Sequence, residues 1–287
     1  MPMNNYNVLN DVRMAILIDA DNISYEYLDA LMSEVARYGL PTIKRIYGDW
    51  TSPNLNGWKP LLQEYAIIPI QQFSYTTGKN STDSALIIDA MDLLYTEKVD
   101  VFCLVSSDSD FTRLAMRLRE EGRKVYGFGE QKTPKAFIAA CDKFIYLEVL
   151  NTDDEKDDED EQKDDESKRH SGEGDRKSRN GNKERKNKRS DTGVQNGNRH
   201  YNKKNLNMDR KTKRLIARCI DDVADEDGWA NLGDVGNLII NIRPDFDPRN
   251  YGCTKLSHVM QRLPKVEVTY RHNNQPGGKQ IYIRNIT

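Results

Sequence analysis

Two pairs of carboxylates, Asp19 with Asp21 and Asp108 with Asp110, each close a continuous apolar run, residues 14–18 in the first case and 101–105 in the second. Uninterrupted apolar runs of that length read as short strands buried on both faces, the habit of a parallel sheet covered by helices. In open sheets of this kind, ligands bind in the crevice beyond the carboxyl ends of the strands. Two strands with the same acidic ending suggest one shared carboxylate cluster. Like charges that close persist only if a cation binds or a pKa rises. Hard divalent ions with oxygen ligands, Mg²⁺ or Mn²⁺, meet that demand. Helix capping is the competing explanation, because Ser106, Ser107 and Asp108 precede an amphipathic helix starting near Phe111, and Ser and Asp are preferred N-cap residues. The repetition of the strand ending weakens it.

The elements that must position these acids alternate along residues 1–150. After the first strand comes a helix with Leu28, Leu31, Met32, Val35 and Ala36 at helical spacing. A strand over 42–47, a short helix over 58–65 and a strand over 67–71 follow, the last an edge or strand end because Pro69 interrupts it. Residues 84–95 read as a helix burying Ala85, Leu86, Ile88, Met91 and Leu94. The helix after the second acid pair buries Leu114, Ala115 and Leu118. A strand over 124–128, a helix over 134–141 and a strand over 144–149 complete the alternation, which predicts a mostly parallel α/β sheet flanked by helices. Neither Gly-x-Gly-x-x-Gly nor Gly-x-x-x-x-Gly-Lys-Ser/Thr occurs, so dinucleotide binding and P-loop hydrolysis lose their main support. The four histidines, His170, His200, His258 and His272, all lie beyond this region, which excludes a Ser-His nucleophile within it.

Hydrophobic residues make up 37% of the 287-residue chain, low for a wholly globular protein, and the deficit sits in the middle. Residues 151–166 carry 11 acidic side chains against 2 basic ones, and residues 167–208 carry 13 basic against 4 acidic. Such segments cannot bury enough surface to fold, so 151–208 is expected to be a disordered tether between domains at 1–150 and 209–287. Its basic half could attract phosphate non-specifically. There is no apolar run of about 18 residues and no charged-then-apolar leader, so a cytoplasmic protein without a membrane partner is expected. The four cysteines form no Cys-x-x-Cys pair and read as reduced and structural.

Three motifs in order, 18–22 (Ile-Asp-Ala-Asp-Asn), 78–83 (Gly-Lys-Asn-Ser-Thr-Asp) and 106–111 (Ser-Ser-Asp-Ser-Asp-Phe), resemble the NYN domain family, including its LabA-like members, within the PIN-like nuclease superfamily. The resemblance covers residues 13–149 and implies a PIN-like fold and metal-dependent cleavage of RNA phosphodiesters. Asp19 matches the acid ending the first strand, Asp83 the acid opening the central helix and Asp108 the acid after the fourth strand. Asp110 stands beside Asp108, and Asn22 matches the residue that braces the first acid. A divalent ion held by Asp19, Asp83 and Asp108 would polarise phosphoryl oxygens and neutralise charge developing in the transition state. Asp110 is placed for a second ion or for a water-mediated role, while Asp21 is expected to point away or cap a helix. Asp89, about 240° round the helix from Asp83, is expected to be structural, buried beside a basic partner. Lys79, Arg113 and Arg117 are candidate phosphate contacts, the two arginines sharing a helix face. Tyr75, Trp50 and Trp58 could stack on unpaired bases.

Residues 209–287 predict helices over 209–223, 229–240 and 254–263, then strands over 266–270 and 280–284 forming a hairpin, a winged helix-turn-helix. The runs 228–233 and 245–252, with Lys255 and Leu256, resemble the LOTUS or OST-HTH family, which implies RNA or protein binding. Lys255, Arg262, His258 and Arg271 are its candidate contacts. The whole reads as a metal-dependent ribonuclease tethered to an RNA-binding module, acting on single-stranded or structured RNA. A protein partner through the winged helix and homo-oligomerisation stay open. The alternatives are an RNA-binding or regulatory protein with poor turnover, and a phosphatase or phosphotransferase using Asp19 as nucleophile. The latter is disfavoured by Ile23, where haloacid-dehalogenase enzymes want Thr or Ser.

Overall fold

The computed structural model describes residues 12–73, 81–96, 99–150, 207–272 and 279–286. The chain begins with β1 (Arg13–Asp19), buried from its second residue onward. There follow α1 (Leu28–Val35), β2 (Leu40–Gly48), α2 (Lys59–Glu64), β3 (Ile68–Gln71), α3 (Ser81–Thr96), β4 (Val101–Val105), α4 (Thr112–Glu120), β5 (Lys124–Gly129), α5 (Lys135–Ala140) and β6 (Lys143–Tyr146). Among the described residues these six strands form one sheet in the order β3-β2-β1-β4-β5-β6, every neighbouring pair parallel. Because side chains alternate across a strand, Ala15 and Leu17 pack with Leu86, Phe102 and Leu114 on one face. Met14, Ile16 and Ile18 pack with Leu28, Leu31 and Val105 on the other. β1 and β4 are therefore apolar without interruption because both faces are covered.

The order reverses direction between β1 and β4, whose last paired residues are Ile18 and Val105. This is the topological switch point, where the connections leave to opposite sides and open a crevice at the strand ends. Asp19 and Ser106 are next in line on the two strands. Pro69-containing β3 lies at a sheet edge, as its proline requires.

Some sequence expectations need correction. Ile88 is 62% exposed, because Leu86, Ala90, Leu93 and Leu94 already face the core and a residue two positions from Leu86 lies on the far side of a 3.6-residue helix. The strand expected over 144–149 ends at Tyr146 and becomes a 3₁₀ turn over Leu147–Val149. Asp89 does take a basic partner, Arg45, and also accepts the Tyr47 hydroxyl. The four cysteines are buried and free.

The C-terminal elements are α6 (Arg210–Val223), β7 (Ala230–Asn231), α7 (Leu232–Ile242), α8 (Leu256–Arg262), β8 (Val266–His272) and β9 (Lys279–Asn285). The β strands are antiparallel in the order β7-β9-β8. The expected helix over 229–240 therefore begins only at Leu232, where the Asn231 side chain caps it by accepting from the Gly233 amide. Ile216, Ile220, Val235, Ile239, Val259 and Ile283 make a separate core.

The charged segment between the two folded regions lies outside the described residues, yet the regions touch. The outer edge of β6 donates its Phe144 amide to the Pro244 carbonyl at 2.9 Å, so an edge that would otherwise be open is paired. Glu34, 4% exposed, accepts both terminal nitrogens of Arg249 at 2.9 Å. Arg249 also binds Asp247, at 2.7 and 3.0 Å. The Tyr146 hydroxyl donates to Asp245 at 2.9 Å.

Candidate active site

The chain delivers its acids to the switch-point crevice from three directions. Asp19 ends β1 and is wholly buried. One of its oxygens accepts from the Asn22 amide nitrogen at 2.7 Å and from the Ser106 hydroxyl at 2.8 Å, and the other from the Asp21 backbone amide at 3.2 Å. Asn22 thus braces Asp19, the contact its position implied. Ser106 ties the ends of the two central strands together, since its oxygen also accepts from the Asp108 amide at 3.1 Å. Asp108 in turn caps the 3₁₀ turn Ser109–Phe111 by accepting the Asp110 amide at 2.9 Å. Capping and membership of the acid cluster, set against each other in the sequence, are compatible because a carboxylate has two oxygens.

Asp83 arrives from the first turn of α3, 8% exposed. Ligand oxygens of Asp83, Asp108 and Asp110 lie within 4.8 Å of one another. Burial, then the negative charge of Asp19, Asp108, Asp110 and Asp21, pushes the Asp83 carboxyl up to about 6. A rise of that size corresponds to roughly 3 kcal/mol, several times the ~0.3–1 kcal/mol that a helix N-terminus offers a carboxylate. Crowding and burial win over the helix dipole. Burial also raises Asp19, against the lowering pull of Asn22 and Ser106. Asp21 turns toward the site, accepting the Thr82 hydroxyl of α3 at 2.9 Å, where the sequence suggested it would point away or cap.

Residues 13–148 match the family model of the NYN domain, and residues 207–277 that of the OST-HTH/LOTUS domain. The chain joins these two domains. No curated protein matches. Among solved structures, a protein of unknown function from Vibrio parahaemolyticus is similar at 19% identity, with a TM-score of 0.42, over 53% of this chain and 98% of that one. An uncharacterized protein from Nitrosomonas europaea is 31% identical, with a TM-score of 0.22, over 26% of this chain and 72% of that one. One from Chromobacterium violaceum is 32% identical, with a TM-score of 0.22, over 25% of this chain and 77% of that one.

Around the NYN acids the other candidates fare differently. Asp110 enters the close group of three, and Asp19 stands just outside it with its oxygens engaged. Lys79 and Tyr75 lie outside the described residues. Arg113 is exposed and makes no ion pair among the described residues. Arg117 is held by Glu121 at 2.5 Å and by the Tyr95 hydroxyl at 2.6 Å. Trp58 is 2% exposed and belongs to the core, so it cannot stack on a base. Trp50 donates its ring nitrogen to the Ile70 carbonyl at 3.1 Å and packs against that core. In the OST-HTH domain Lys255 is exposed at the start of α8. Arg262 donates to the Gly252 carbonyl at 3.1 Å, and the His258 ring meets the Thr254 hydroxyl at 3.3 Å. Arg271 lies over the rings of Tyr282 and Trp229, at 4.4 and 5.3 Å, and pairs with Asp225 at 3.6 Å. Ser106 is the member of the acid network that the sequence hid, since a serine ahead of a helix signals a cap and nothing more. No described helix is long and apolar enough to cross a membrane.

Proposed function

We propose that the NYN domain is a metal-dependent ribonuclease and that the OST-HTH domain, docked beside it, binds RNA. The observation that carries this reading is the meeting of Asp83, Asp108 and Asp110 within 4.8 Å, with the Asp83 carboxyl raised to about 6. Carboxylates gathered this closely are a hard, all-oxygen donor set, which suits Mg²⁺ or Mn²⁺. Asp83, Asp108 and Asp110 would hold the ion, with Asp19 as the adjoining fourth acid. A cation there supplies Lewis acidity toward the phosphoryl group and positive charge against the developing negative charge.

The chain's own residues supply positioning. Asn22 and Ser106 fix Asp19, and Ser106 also fixes the backbone that carries Asp108. Arg113, three residues beyond Asp110 and exposed, would meet a phosphate along the RNA. Labelled single-stranded RNA incubated with Mg²⁺ or Mn²⁺ tests the assignment. Cleavage is expected to require the ion and to fall at least 100-fold in Asp19→Asn and in Asp108→Asn. Equal activity in wild type and variants would remove the nuclease and leave an RNA-binding protein built on the same folds.

A further inference from the structure

A cleft of about 390 Å³ opens beside the acids. Asp21 and Asn22, both hydrogen-bonded to Asp19, line it together with Tyr25, Asn54, Leu55 and Trp58. No lysine or arginine lines it, and Asp21 contributes a carboxylate. A phosphate is therefore repelled, and the neutral part of a nucleotide is what the cleft can take.

Its chemistry narrows the choice further. Tyr25 is 42% exposed, and its ring packs against Gly57. A Cβ at that glycine would come within 2.4 Å of the ring, so the ring is seated against the glycine while part of it stays exposed. The Asn54 carboxamide makes no hydrogen bond among the described residues. Asp21 uses one oxygen on Thr82 and keeps acceptor capacity on the other. A partly exposed aromatic ring, a free carboxamide and apolar lining are what seats an unstacked base. The carboxylate acceptor selects for an exocyclic amine.

We propose that this cleft is a base-binding subsite of the active centre, with Tyr25 stacking on the base and Asn54 and Asp21 reading its edge, and that it favours the amine-bearing bases, adenine and cytosine among them, over uracil. The inference extends the ribonuclease reading, and cleavage and binding are measured separately so that the two can fail separately. Full-length protein is tested with fluorescent oligo(A), oligo(C) and oligo(U) RNA, for cleavage as wild type and for binding in an Asp108→Asn background. Tyr25→Ala is expected to weaken binding of oligo(A) and oligo(C) about 10-fold, with Tyr25→Phe restoring it. Asn54→Ala is expected to narrow the difference from oligo(U) while leaving the melting temperature unchanged. Loss of binding in Tyr25→Ala when wild type does not cleave would uphold the subsite and remove the nuclease. Ordinary cleavage, with no base preference and no effect of Tyr25→Ala or Asn54→Ala on binding, would overturn the subsite and leave the nuclease standing.

Discussion

Asp83 is where the cost of the cluster concentrates. A carboxyl that titrates near 6 when folded and near 3.8 when unfolded binds more protons in the folded state between those values. The metal-free protein therefore loses stability from this group as pH rises from 3.8 through 6, the reverse of an ion-paired acid. Asp83→Asn removes the repulsion. It is expected to raise the melting temperature of metal-free protein at pH 7.5, by an amount worth about 1 kcal/mol after allowance for solvent screening. It is also expected to abolish the further rise that Mn²⁺ gives the wild type by binding the folded state. Thermal melts with and without Mn²⁺ read both effects, and a variant less stable than wild type without metal would contradict the crowding. At this scale the sequence was partly legible. Asp19 and Asp108 stood out because each ends an apolar run, whereas the closeness of Asp110 depends on a 3₁₀ turn that carries no periodic signal.

Strands and helices set how the acids are held. The apolar runs of β1 and β4 announced burial on both faces, and Pro69 announced an edge, because each follows from the local chemistry of a strand. That β1 and β4 are neighbours was not written locally: Asp19 and Ser106, next in line at their junction, are 87 positions apart in the chain and meet only through the crossover geometry of the parallel sheet. Helix α3 shows the opposite problem. Its apolar residues surround the axis, so periodicity alone could not decide that Leu86 and Ala90 face inward while Ile88 faces out. The junction of β1 and β4 rests on Ser106, 1% exposed, which links Asp19 to the Asp108 backbone. Ser106→Ala is expected to cost about 1–2 kcal/mol of stability, the range for a buried hydrogen-bonding hydroxyl. It should lower kcat for RNA cleavage about 10-fold with KM little changed, because the acids and not the substrate contacts are loosened. A kcat equal to wild type in a folded variant would show that Asp19 is held without it.

The whole molecule depends on charges that looked ordinary in the sequence. Glu34 on a helix and Arg249 in a turn are 215 positions apart, and nothing local marks either as buried. The charged stretch between the domains suggests independent modules, but its composition says nothing about whether the flanking folds meet. Burial opposes ionisation of both Glu34 and Asp247, yet hydrogen bonds and charge from Arg249 hold their carboxyls below the usual range. Depressed carboxyls stabilise the docked state above their unfolded values of 4.5 and 3.8 and lose that contribution as pH falls through the folded ones. Arg249→Ala leaves two buried acids without their main partner, a loss of about 3–5 kcal/mol for a pair of this kind, enough to separate domains joined by one such cluster. Hydrogen exchange at the Phe144 amide, which the Pro244 carbonyl covers, reports directly on docking. In Arg249→Ala that amide is expected to exchange at least 10-fold faster while the amides of β1 and β4 keep their protection. In wild type the same acceleration is expected on acidification below the range in which Glu34 and Asp247 are ionised. Unchanged Phe144 protection in the variant would mean that the domains are held together by their apolar and backbone contacts, with the arginine cluster incidental.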